Sequence, residues 1–282
     1  MNTFFLDRLN SEPHALAFAG QSTPWPVALA DQSANPALDE ALHTHAAAAQ
    51  ALLYPVSAEL LATTGRPVDL FGFEPNPARL GAAAAASVSV PGIALTQLGA
   101  LLDAAALGYN PAQAKPVAVL GHSQGVLAVH MVQAICEAGS IDAAAAKIDE
   151  ILAIATLIGV AGTRQARQLG LAARHGEATP MLSVKDITRA QVDALIERVD
   201  GARGPIAVAV TNSATHYVLS GYPEDLAAFG VEVAKEHKRQ AQLREEKVRG
   251  GRVFNPVLEY LDVTLPFHSP LMADAVSQAV AW

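Results

Sequence analysis

"AVLGHSQGVLAVHMVQAIC", residues 118–136, passes from a short apolar stretch through Gly121-His122-Ser123-Gln124-Gly125 into a long apolar run. A serine between two glycines, after a strand and before a helix, has the composition of a tight strand-to-helix turn. Side chains at Gly121 or Gly125 would collide there with neighbouring backbone, and the turn pushes the Ser123 hydroxyl out of the sheet edge. The amide of Gln124, at the helix start, is then aimed at any oxyanion forming on an acyl group carried by Ser123. Taken alone, these five residues also suit a turn whose serine merely caps a helix. The strand before and the helix after favour a nucleophile.

Working outward, "KPVAVLG" before the turn is apolar without alternation, as in a parallel strand covered on both faces. Residues 124–138 are apolar on nearly every side, which predicts a helix enclosed by a core, with His130 inside it. "ALAFAGQSTPW" near the start reads as a strand ending in a Gly-Gln-Ser turn. Helical patterns cover about 35–62, 91–107 and 143–169, the first two separated by a Pro/Gly-rich region from 65 to 77. Strands alternating with helices predict an α/β sheet.

The rhythm changes near Thr179. "PMLSV", helical "TRAQVDALIERV", strands "IAVAVTN" and "HYVLSG", helical "PEDLAAFGVEVAKEHKRQ" and strand "VLEYLDVTL" follow as β-α-β-β-α-β. That order is the ferredoxin-like unit. It predicts a small subdomain at 178–264 inserted in a larger one made of 1–177 and 265–282.

Length fits such a pair: 282 residues, 51% of them hydrophobic and 16% charged, bury a substantial core. A formal net charge of −8 argues against nucleic acid as a main partner. The basic stretch from Lys235 to Arg252 is interleaved with glutamates and reads as a solvated face. The low overall charge also suits a surface partly covered by neighbouring protein. The single cysteine, Cys136, excludes an internal disulfide and suits a reducing cytoplasmic setting. Neither a secretion signal nor a membrane span is expected. No zinc-spaced His/Cys set or phosphate loop is found, so no metal is expected.

A neutral serine needs a base within hydrogen-bond reach. Of nine histidines, His43, His45 and His237 read as surface residues. His122, beside the serine in a turn where adjacent side chains diverge, reads as a structural or pocket-lining residue. His268, in "DVTLPFHSPLM", follows a strand in a loop fixed by Pro266 and Pro270, a good mount for a base. On its own it also suits a loop histidine with no role.

Three segments in order, "FAGQSTPW", "GHSQG" and "PFHSPLM", with the β-α-β-β-α-β insertion between the last two, resemble the malonyl/acetyl-CoA:acyl carrier protein transacylase family over nearly the whole chain. "GHSQG", where free-standing malonyl transferases usually have Leu in place of Gln124, together with "SVSVPGIALTQ" and "KVRGGRVFNPV", is similar to the acetyltransferase domain of type I fatty acid synthases of the fungal and actinobacterial kind.

The resemblance implies an α/β-hydrolase-like large subdomain. Ser123 would be the acyl-accepting nucleophile and His268 its base, a dyad without a side-chain acid, with Gln21 giving the second oxyanion amide. It implies acetyl-CoA as substrate, the phosphopantetheine thiol of an acyl carrier protein as acceptor, other synthase domains as partners, and no bound cofactor. Malonyl-selective members carry an Arg-Gly pair where this chain has Ile158-Gly159, so the pocket offers a carboxylate no guanidinium and acetyl is favoured. Arg164 or Arg167 is the alternative aligned residue, which would make a malonyl or dual-specificity enzyme. Asn212 matches a strand that faces the pocket in this family, though it also suits an Asn ending a strand. Relatives continue well past the catalytic histidine, so this sequence reads as an excerpt.

Two other readings use the same residues. An α/β-hydrolase esterase shares G-x-S-x-G but orders its triad Ser, acid, His and normally lacks the insertion. A catalytically silent megasynthase segment would leave Ser123 unacylated.

Overall fold

The computed structural model describes residues 8–21, 24–65, 85–171, 178–245 and 254–282. The chain divides into two compact units, 1–163 with 279–282, and 164–278. Much of the Pro/Gly-rich region and of "KVRGGRVFNPV" lies outside the described residues.

In the first unit, β1 (Ala15–Phe18) and β2 (Ala118–Gly121) pair in parallel, with Phe18 opposite Gly121. The helices are α1 (Trp25–Ser33), α2 (Pro36–Leu52), α3 (Ser57–Thr64), α4 (Ala86–Ala106), the short α5 (Pro111–Ala114), α6 (Val126–Ala138) and α7 (Ala145–Gln168), which runs on into the second unit. Asn35 caps α2 by accepting from the Ala37 N–H, as short polar side chains do at helix starts. The helical stretch expected to run unbroken to residue 62 is interrupted by a 3-10 turn at Tyr54–Val56, where Pro55 removes a donor. α4 starts at Ala86, so Pro91 lies inside the helix rather than opening it. By length and composition α4 would suffice to cross a membrane, yet most of it is buried in the unit: Val90, Ile93, Ala94, Leu95 and Leu98 form its core face.

Two burial expectations fail here. β2 is not covered on both faces, since Leu120 is 60% exposed and Val117, just before the strand, 71%. Nor is α6 enclosed. Leu127, Ala128, Met131, Val132 and Ile135 are buried, while Val126, His130, Gln133, Cys136 and Glu137 are exposed along the other face. Hydrophobicity marks both as core-forming, but only one face of α6 is buried, and β2 runs from half-buried Ala118 and Val119 to exposed Leu120 and Gly121.

The second unit contains β3 (Met181–Lys185), α8 (Arg189–Ile196), β4 (Ala207–Ser213), β5 (His216–Ser220), α9 (Pro223–Glu245), β6 (Val257–Tyr260) and the start of α10 (Ala273–Ala281). Its strands form one sheet in the order β4-β5-β3-β6, antiparallel throughout. Period-two alternation splits the side chains between two faces. Leu182, Val184, Tyr217 and Leu219 pack with Val192, Leu195, Leu226, Phe229 and Val233 of the helices. Met181, Val218 and Val263 form a second cluster with Ala209, Val210, Leu261 and Phe267. The unit extends beyond 178–264 because Gln165 donates to the Leu271 carbonyl (2.9 Å) and Arg164 to Gln278 Oε1 (3.0 Å).

Candidate active site

β2 delivers the chain to a turn that has almost no spare volume. A Cβ on Gly121 would lie 2.5 Å from the Gly125 carbonyl carbon and the Val126 nitrogen, and one on Gly125 would lie 2.3 Å from the Phe18 carbonyl oxygen. Glycine is therefore required at both positions, as the sequence predicts. Gly20 supplies a third close approach: its Cβ would meet the His122 carbonyl oxygen at 2.6 Å, Ser123 Cβ at 3.1 Å and the Gln124 nitrogen at 3.3 Å. The turn after β1 thus lies directly against the serine.

Ser123 has φ +53°, a left-handed backbone that is uncommon for a residue with a Cβ. Such a conformation costs about 1–3 kcal/mol and persists only where surrounding structure over-determines it. Here His122 N–H donates to the Phe18 carbonyl and Gly125 N–H to the His122 carbonyl, both at 2.9 Å. A 3-10 turn at Ser123–Gly125 then leads into α6. Ser123 is half-buried and His122 exposed.

Gln21 and Gln124, selected for their backbone amides, also meet through their side chains. Gln21 Nε2 donates to Gln124 Oε1 at 2.5 Å, Gln124 Nε2 donates to the Val90 carbonyl at 2.5 Å, and Ser89 Oγ donates to Gln21 Oε1 at 3.4 Å. Gln97 Nε2, farther along α4, donates to the Ala19 carbonyl at 2.6 Å. α7 is fastened to the same end of α4. A Cβ on Gly159 would lie 2.3 Å from the Ala86 carbonyl oxygen, and Ser87 N–H donates to Thr163 Oγ1 at 3.0 Å. Ile158 sits beside that contact, 37% exposed. The first unit therefore brings Ser123, Gln124 and Gln21 together and anchors the helix bearing Ile158 to the α4 segment that holds the two glutamines.

The second unit carries His268 and Asn212. His268 is exposed and also left-handed, at φ +56°. Its loop is closed by Ser269 Oγ donating to the Pro266 carbonyl (2.7 Å) and Met272 N–H donating to the Ser269 carbonyl (3.0 Å). Its neighbour Phe267 packs on the sheet cluster of Met181, Val218 and Val263. Asn212 lies at a register irregularity between Thr211 and Ser213, a place where a bulge re-aims a side chain. It is exposed, and its Nδ2 stands 3.4 Å from His216 Nε2, which also meets Ser183 Oγ at 3.0 Å. His216 and Ser183 were not singled out from sequence, although the alternation along β5 puts His216 on the same face as Val218. Arg164, the alternative partner for a malonyl carboxylate, bonds Gln278 instead of standing unoccupied.

Three other histidines differ from expectation. His45 is not a free surface residue: its Nδ1 lies 2.6 Å from Asp149 Oδ1, with both side chains largely buried. His237 Nδ1 bonds the Phe254 carbonyl at 2.6 Å. His130, expected in the core, is exposed. The basic stretch on α9 also contains a buried member. Glu236 is 6% exposed and accepts from Arg239, Arg198 and Gln240. Those donors, Arg239 foremost, hold its carboxyl at about 2 against an ordinary 4.5.

Residues 180–260 match the family model described as the fatty acid synthase central AT domain. Over 206 residues, 67% of this chain, the sequence is 28% identical to fatty acid synthase subunit beta of Schizosaccharomyces pombe, of which it spans 10%. The fold is similar to the malonyl CoA-acyl carrier protein transacylase of Coxiella burnetii, with TM-score 0.57 and 18% identity over 96% of this chain and 67% of that one. It is also similar to a malonyl-transacylase in complex with its type II PKS acyl-carrier protein, with TM-score 0.55 and 16% identity over 96% of this chain and 69% of the other. The α/β fold is thus that of the transacylases, and the sequence is similar to the central acyltransferase domain and the beta subunits of fatty acid synthases.

Proposed function

We propose that this chain transfers an acetyl group from acetyl-CoA to the phosphopantetheine thiol of an acyl carrier protein, priming fatty acid synthesis as one domain of a larger cytoplasmic synthase. In this reading the first unit is α/β-hydrolase-like and the second contains the ferredoxin-like insertion. The observation that carries it is Ser123, held at φ +53° in a glycine-lined turn with the Gly20–Gln21 backbone against it.

The chemistry is ping-pong. His268 takes the Ser123 proton as the oxygen bonds to the thioester carbon, and the Gln124 and Gln21 amides receive the oxyanion. The C–S bond then breaks, and CoA leaves with the proton from His268. In the second half His268 takes the proton of the carrier thiol, sulfur attacks the acetyl-serine, and Ser123 leaves with that proton. No resident cofactor takes part.

Acetyl is favoured because Ile158 offers an apolar wall, while a malonyl carboxylate buried beside it without a partner loses several kcal/mol. Incubation with labelled acetyl-CoA or malonyl-CoA, followed by peptide mass spectrometry, is the test. Label on Ser123, absent in Ser123→Ala, with at least about tenfold preference for acetyl, is the expected result. Ile158→Arg should move preference toward malonyl. Label elsewhere, or none, defeats the reading. Equal loading of malonyl that Arg164→Ala selectively abolishes would transfer the specificity role to Arg164.

A further inference from the structure

An oxyanion-binding amide at Gln124 needs only backbone, so the placement of its side chain requires a separate explanation. That side chain links three segments among the described residues: the elbow it belongs to, the turn after β1 through Gln21, and the early part of α4 through Val90. The close approach of Gly20 sets how near the turn lies to the elbow. The side-chain bonds of Gln21 and Gln124 add to the backbone bonds that join the end of β1 to the elbow.

We infer that the side-chain amides of Gln124 and Gln21 form a positioning relay that holds the Gly20–Gln21 turn in register with the elbow, and so sets the spacing of the two amides that receive the oxyanion. The inference rests on the acyl-transfer reading for its catalytic consequence, but its geometry does not. The direction of the relay is fixed from one end. The Val90 carbonyl can only accept, so Gln124 must present Nε2 to it and Oε1 to Gln21. Gln21 must then donate through Nε2, which turns its own Oε1 to the Ser89 hydroxyl. Turning either amide over would set two donors or two acceptors face to face. Ser89 and Val90 are adjacent and buried, so the chain of bonds begins and ends on one turn of α4, and each bond polarises the next. Gln97, bonded to the Ala19 carbonyl, ties the same loop to α4 from farther along the helix. Gln124 and Gln21 act here as positioning residues through their side chains, apart from anything their backbones do.

The test uses Gln124→Met, close to glutamine in volume but without hydrogen bonds, together with Gln21→Met and the double variant in the full chain. Single-turnover acylation of Ser123 is followed against acetyl-CoA concentration. Each single variant should lower the maximal rate about tenfold, less than the roughly 10²–10³-fold cost of deleting an oxyanion donor, and leave the half-saturating concentration unchanged. Because the relay acts as a unit, the double variant should be no slower than the slower single one. A wild-type rate for Gln124→Met, losses that multiply in the double variant, or a change confined to half-saturation would overturn the inference. If Gln124→Met does not fold, Gln124→Glu replaces it, since it still accepts from Gln21 but cannot donate to Val90. A wild type that never labels at Ser123 defeats the acyl-transfer reading separately. The relay is then judged from side-chain amide exchange: Gln21 Nε2 protons should lose protection in the Gln124 variant, and unchanged protection overturns it.

Discussion

Ser123 and His268 share an unusual backbone, φ +53° and +56°, but they are held in it by different means. Around Ser123 the restraint is backbone against backbone: Gly20, Gly121 and Gly125 leave no room for any other course of the chain. Around His268 it comes from neighbouring side chains, with Ser269 bonded to the Pro266 carbonyl and Phe267 set into an apolar cluster. The first arrangement is uncharged and permits few substitutions. The second can be weakened in steps, and its unit also leans on charge at Glu236. A nucleophile mounted by steric exclusion and a base mounted by adjustable contacts differ in how they should respond to mutation and to acid.

The largest effect that separates them is catalytic. His268→Ala should slow acylation of Ser123 by roughly 10²- to 10⁴-fold, the usual worth of a positioned general base. Ser269→Ala, which removes only the bond to Pro266, should cost a further-graded loss of a few-fold in the same assay. If His268→Ala acylates normally while His122→Ala does not, the base has been assigned to the wrong histidine.

Acid should distinguish the two regions next. Glu236 is held at about 2 in the folded chain against an ordinary 4.5. Between those values the unfolded chain binds more protons than the folded one, so the stability Glu236 contributes above about pH 4.5 is lost as pH falls toward 2. The loss is at most about 3 kcal/mol, reduced by the half-exposed Arg198 and Arg239 partners. Urea melts at pH 7 and pH 3 should show a smaller pH dependence for Glu236→Gln than for wild type. Identical dependences would show that the cluster is not linked to folding.

The smallest effect concerns stored strain. Ser123→Gly removes the Cβ from a left-handed residue while adding freedom to the unfolded chain, and the two terms are of similar size, each about 1 kcal/mol. Its melting temperature should equal or exceed that of Ser123→Ala, which keeps the Cβ. A Ser123→Gly variant less stable than Ser123→Ala would mean that the turn is not strained at this residue.

The elbow was legible because its determinants are local: two glycines four positions apart, a strand on one side and a helix on the other. The β-α-β-β-α-β order was legible because apolar periodicity switches cleanly between two and 3.6 residues. Burial was not. Val117, Leu120 and His130 show that an apolar run tells which residues can be covered, not whether anything covers them. The relay from Gln21 to Gln124, the His45–Asp149 pair and the Ser183–His216 contact join residues far apart in the chain, and nothing in the local pattern announces them. Pro91 misled for a related reason. It marks helix starts often enough to be read as one, whereas here α4 continues through it.

The pairing of β1 with β2 has a consequence for the behaviour of the polypeptide in concentrated solution. Among the described residues these two parallel strands pair only with each other, and Leu120 and the adjoining Val117 are open to solvent, which sets a sheet margin beside apolar side chains. Margins of that kind are templates on which another strand can crystallise its own pairing, and proteins ordinarily blunt them with lysine, proline or a covering loop. Here Lys115 and Pro116 stand just before Val117, while Leu120 lies at the far end of the ribbon with no such residue beside it. A polar substitution at Leu120 that improved solubility would therefore act three residues from Ser123.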